Sequence, residues 1–67
     1  MGMSLKAARV NRNLKQQEAA KLLKVSVYTL INWEKGKSYP NAIQIKDIEK
    51  IYKISYDDII FLPRLYA

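Results

Sequence analysis

Residues 14–40 constrain the fold more than any other stretch of this chain: Leu14-Lys15-Gln16-Gln17-Glu18-Ala19-Ala20-Lys21-Leu22-Leu23-Lys24-Val25-Ser26-Val27-Tyr28-Thr29-Leu30-Ile31-Asn32-Trp33-Glu34-Lys35-Gly36-Lys37-Ser38-Tyr39-Pro40. They read as a short helix over about 15–23, a tight turn, and a second short helix that starts after Ser26 and ends near Lys35. Ala19 and Ala20 are small enough to let a second helix approach closely, and with Leu22 and Leu23 they supply the inner stripe of the first helix. Ser26 is a good N-cap, and Val25 before it can act as a hydrophobic staple. Leu30 and Trp33 form an i, i+3 apolar pair on the second helix, Ile31 is expected to be partly buried, and Gly36 stops the helix.

The flanks extend the helical pattern. An N-terminal helix runs from a cap at Ser4 to about Arg12, with Leu5, Ala8 and Arg9 on one face, and Asn13 suits a left-handed residue closing it. Asn41 caps a helix over about 42–52, in which Ile45, Ile48, Ile51 and Tyr52 recur at helical spacing. Ser55, followed by Asp57 and Asp58 in a first turn where the helix dipole favours acids, predicts a fifth helix to about Phe61, with Pro63 at or beyond its end. The expectation is an all-α, compact five-helix domain without strands, occupying residues 1–67 as a single unit with an apolar C-terminal tail over 61–67.

Charge narrows the class of partner. The net charge is +6, and it is uneven: residues 1–46 carry nine Lys and Arg against Glu18 and Glu34, whereas residues 47–67 carry Lys50, Lys53 and Arg64 against Asp47, Glu49, Asp57 and Asp58. The positive excess falls on the two-helix stretch, which would attract a polyanion; the alternative is a solvated lysine-rich surface. The sequence has no Cys and no His, so disulfides are excluded and the usual nitrogen and sulfur zinc ligands are absent. With only two glycines there is no glycine-rich phosphate loop. An enzyme is therefore not expected, nor a cofactor, a metal or a small-molecule ligand. Apolar runs fall short of the roughly 20 residues of a membrane span, and Met1-Gly2-Met3-Ser4 lacks the apolar core of a signal peptide. These features favour a reducing, cytoplasmic location and no membrane partner.

The pattern resembles the Cro and phage-repressor type of helix-turn-helix, the XRE family, over about residues 4–62. Gln16, Ala20, Val25, Ser26, Leu30, Trp33, Glu34, Gly36 and Pro40 fit that pattern, with Arg9 and the Ile54-Ser55 pair in the flanks. Three positions depart from it: Lys24 stands where the family has a left-handed glycine, Lys15 where it prefers a Ser or Thr cap, and Ala19 where it prefers a larger aliphatic. The resemblance implies a lambda-repressor-like fold and a sequence-specific, DNA-binding transcriptional regulator of bacterial or phage type, with its third helix in the major groove of double-stranded DNA.

On that reading Val27, Tyr28, Thr29 and Asn32 meet base edges. Val27 or Thr29 can pack on a thymine methyl, and Asn32 can bond bidentately to adenine. Lys15, Gln16, Gln17, Lys35, Lys37 and Tyr39 hold phosphates, with the N-terminus of the second helix adding free N–H groups and positive dipole. Arg9 and Glu34 form the ion pair that the family places between the first and third helices. A second copy of the chain is implied as a partner, paired in free solution or only on the DNA, with Ile60, Phe61, Leu62, Leu65 and Tyr66 as the apolar end available for pairing or for covering the core. The competing class is a protein-interaction module, an antitoxin or regulatory subunit using the same fold. The two differ in whether Val27, Tyr28 and Asn32 stand clear of the core beside Lys35 and Lys37.

Overall fold

A computed structural model describes residues 2–61. Its elements in chain order are β1 (Met3–Ser4), α1 (Leu5–Asn11), α2 (Gln16–Leu23), α3 (Val27–Lys35), α4 (Ala42–Tyr52), a 3-10 turn (Tyr56–Asp58) and β2 (Ile59–Ile60). The Ser4 side chain caps α1 by accepting from the Ala7 N–H at 3.1 Å. Asn41 caps α4 reciprocally with Gln44: each backbone N–H donates to the other's side chain at 2.8 Å, which satisfies two donors at the exposed helix start.

Three expectations about the fold need correction. The fifth helix is a single 3-10 turn, so the described residues hold four α-helices. The Ser55 hydroxyl accepts from the Asp57 N–H at 3.3 Å, and the turn closes with Asp58 N–H on the Ser55 carbonyl at 2.9 Å. The next two residues, Ile59 and Ile60, are β-branched and favour extended backbone. They pair in parallel with the start of the chain, Met3 opposite Ile59 and Ser4 opposite Ile60, so the expectation of no strand is also overturned. Ile59 then turns inward and is buried, while Ile60 faces out. Of the apolar C-terminal residues named above, Leu62, Leu65 and Tyr66, like Pro63, lie outside the described residues. Phe61 is half-buried and packs on the core.

The core gathers Leu5 and Ala8 of α1, Ala19, Ala20 and Leu23 of α2, Leu30 and Trp33 of α3, Ile48 and Tyr52 of α4, and Ile59. Ala19 and Leu30 have no exposed surface, which is the close α2–α3 approach that the paired alanines allow. Leu22 is a third correction: it is 52 % exposed. At about 100° per residue the Ala19, Ala20 and Leu23 positions share one face of α2, and Leu22 falls roughly 100° from its centre.

Candidate nucleic-acid interface

The turn between α2 and α3 is built by backbone geometry that the sequence only half favours. Lys24 takes a left-handed conformation, φ 60° and ψ 40°, and Val25 N–H then reaches back to the Ala20 carbonyl at 3.0 Å. Lysine carries a Cβ that makes this conformation costly where glycine would be nearly strain-free. Ser26 next caps α3, its Oγ accepting from the Thr29 N–H at 3.0 Å. The same hydroxyl donates to Thr29 Oγ1 at 3.0 Å. At the other end Gly36, at φ 76°, lets Lys37 N–H close on the Asn32 carbonyl at 2.9 Å. Helix α3 is thus held at both ends within nine residues.

Its angle is set from α1. Arg9 Nε donates to Glu34 Oε2 at 2.7 Å and Arg9 Nη2 to Glu34 Oε1 at 3.3 Å, a two-point contact between planar groups. The side chains are 8 % and 5 % exposed. Arg9 Nη1 also donates to the Leu14 carbonyl at 2.8 Å, tying down the α1–α2 loop. Gln16 Nε2 donates to Glu34 Oε1 at 3.3 Å. One carboxylate therefore joins α1, the first residue of α2 and the last turn of α3. Tyr52 of α4 lies in the same electrostatic neighbourhood. Burial first, and the Glu34 carboxylate second, push its hydroxyl up to about 12, partly opposed by Arg9.

The structure sorts the residues expected at the surface. Tyr28 is 74 % exposed on the first turn of α3. Lys35 and Lys37 are exposed near the helix end, and Asn32 is partly exposed one turn after Tyr28. Thr29 is partly exposed, with its hydroxyl oxygen engaged by Ser26. Val27 does not stand clear: it is half-buried and packs against the core. On α2, Lys15 and Gln17 are exposed, and Gln16 is partly buried on Glu34. Lys15 has no side-chain acceptor to cap α2. Instead its backbone N–H donates to Glu18 Oε1 at 2.8 Å, half of a capping box. Tyr39 is 44 % exposed, and its ring meets Phe61 edge-on at 6.1 Å, a packing role the sequence did not suggest.

Lys6 was not among the expected residues. It lines an open groove with Gln16, Ile31, Glu34 and Lys35, where α1, the start of α2 and α3 meet. The signal lay in the spacing: Lys6 sits three residues before Arg9, on the same side of α1.

A helix that carries an exposed aromatic, braced against a partner helix across a tight turn and flanked by lysines, defines the class. A helix-turn-helix family profile matches residues 5–59, and the chain belongs to this XRE-type helix-turn-helix family. Among curated proteins it is similar to the HTH-type transcriptional activator BcrR of Enterococcus faecalis, at 36% identity over 56 residues, which is 84% of this chain and 28% of that relative. The chain thus spans less than a third of the length of the curated relative it matches. No solved structure matches it. Among the described residues, no helix is long and apolar enough to cross a membrane.

Proposed function

We propose that this chain reads a specific sequence in double-stranded DNA and regulates transcription from it in the cytoplasm, with α3 in the major groove. The observation that carries this reading is Tyr28, an aromatic three-quarters exposed on the first turn of α3, on a helix whose far end is flanked by exposed Lys35 and Lys37. Beside those lysines, an exposed aromatic with a hydroxyl on the first turn of the helix is suited to contact a base edge in the groove. Tyr28, Thr29 and Asn32 meet base edges, with Val27 contributing only the outer part of its side chain. Lys15, Gln16, Gln17, Lys35, Lys37 and Tyr39 meet phosphates, and the Arg9–Glu34 pair fixes the reading angle. Neither a cofactor nor a catalytic step is part of this function.

One reading helix covers few base pairs, so useful discrimination needs two copies about 34 Å apart, one DNA turn. Phe61 and the residues after it are the surface to test for that pairing. The similarity to a transcriptional activator bears on the class of function and leaves the direction of regulation to experiment.

The test is selection of bound duplexes from a random pool, followed by Asn32→Ala. The variant is expected to lose about 1–3 kcal/mol on the selected site and to relax preference at one base pair. An unchanged selected motif overturns the assignment of reading residues. Failure of the intact protein to select any duplex overturns the DNA-reading function and favours a protein-binding role for the same surface.

A further inference from the structure

We infer that α1 is a third DNA-contacting element, and that Lys6 holds a backbone phosphate together with Lys35 across the groove between α1 and α3. This rests on the DNA-reading function proposed above and adds to it a residue outside the helix-turn-helix itself.

The groove is lined by Lys6, Gln16, Ile31, Glu34 and Lys35. Lys6 and Lys35 are both exposed and come from different helices, and their neighbourhood in space follows from the clamp. Arg9 lies three residues after Lys6 on α1, and Glu34 directly precedes Lys35 on α3. The 2.7 Å Arg9–Glu34 contact therefore brings the two lysine-bearing stretches to opposite sides of one groove.

The lining also contains a carboxylate, which by itself would repel an anion. Glu34, however, takes both Arg9 Nε and Nη2 and the Gln16 amide, so its charge is matched inside the protein. What remains to act outward is the pair of lysines. Gln16 is the first residue of α2, whose unpaired N–H groups and dipole add to the positive potential of the same groove. The groove opens to solvent, with Ile31 contributing its apolar part. That shape does not enclose a small molecule, but it admits a phosphodiester on a polymer lying over α3. The clamp therefore has a second consequence besides fixing the angle of α3: it presents a basic residue of α1 to the same DNA strand.

The experiment measures affinity for one selected duplex and one unrelated duplex at salt concentrations from 50 to 200 mM. It uses the intact protein, Lys6→Ala, Lys6→Arg, and Lys50→Ala as a control for loss of an exposed charge near the far end of α4. Each phosphate contact contributes close to 0.9 to the slope of log affinity against log salt. Lys6→Ala is expected to weaken both duplexes by the same factor and to lower the slope by about that amount. The advantage of the intact protein over Lys6→Ala should thus shrink about 3.5-fold across the range. Lys6→Arg should keep the slope, and Lys50→Ala should leave it unchanged. A Lys6→Ala slope equal to that of the intact protein, or an equal drop in Lys50→Ala, overturns the assignment. An intact protein that binds neither duplex in a salt-dependent way overturns the DNA-reading function itself, so the two failures are distinguishable.

Discussion

Arg9→Ala tests the reasoning about the clamp most severely. The truncation removes two donors to Glu34 and a third to the Leu14 carbonyl. It leaves a carboxylate that is only 5 % exposed with the Gln16 amide as its remaining partner among the described residues. Breaking one side of a buried ion pair costs about 3–5 kcal/mol, because the other charge stays desolvated; an exposed pair would cost no more than about 1 kcal/mol. At 0.05–0.15 kcal/mol per residue, a domain of this length has a total stability of about 3–10 kcal/mol. The substitution should therefore lower the melting temperature by roughly 12–40 °C. Urea melts of Arg9→Ala, Glu34→Ala and the double mutant complete the measurement. The double mutant should be more stable than the sum of the single losses implies, by about 2 kcal/mol, since removing both charges leaves neither one stranded. Additive losses, or a single-mutant loss below about 1 kcal/mol, would refute the clamp as a buried interaction.

Two further outcomes follow from backbone and burial. Lys24→Gly should raise stability by about 0.5–1 kcal/mol, since a left-handed residue loses its Cβ strain but gains freedom in the unfolded chain; Lys53, at φ 53°, should respond alike, and denaturant midpoints check both. Tyr52 keeps its proton to about 12 in the folded chain but releases it near 10 when unfolded. Its contribution is thus complete below about pH 10 and is lost as pH rises toward 12. Alkaline melts should fall less steeply for Tyr52→Phe than for the intact protein, and identical pH profiles would show that Tyr52 titrates normally.

Much of this fold was legible because its signals are local. Ser4, Ser26 and Asn41 cap their helices through their own side chains, and Gly36 and Lys24 take the left-handed backbone that the turn pattern requires. These are interactions across three or four residues, which a linear reading captures. What escaped was long-range or depended on fine angle. The Ile59–Ile60 strand needs the distant Met3–Ser4 to exist at all, and a capped pair of acids after Ser55 resembles a helix start until that partner is known. Leu22 was assigned inward because its type is apolar, although its position on the wheel lies off the buried face. At the surface, the exposure of Tyr28 was readable from the motif, but the half-burial of Val27 was not, because it depends on how far α3 sinks against the core. Lys6 was missed because its spacing from Arg9 gains meaning only through the Arg9–Glu34 contact, which carries it to the groove.

The parallel pairing of Met3 with Ile59 and Ser4 with Ile60 joins stretches from opposite ends of the described chain. The α2–α3 contacts join helices adjacent in the chain and can form early; this pairing closes the longest loop among the described residues, so it should be among the last to assemble and the first to open. Either two-residue strand alone would be too short to hold. Joined, they open together: pulling Met3 away releases Ile59 from the core, and shortening the amino end is felt beside Phe61 and the aromatic rings it meets. Hydrogen exchange at the two strands should therefore rise and fall as one cooperative unit, separate from the slower-exchanging α2–α3 pair.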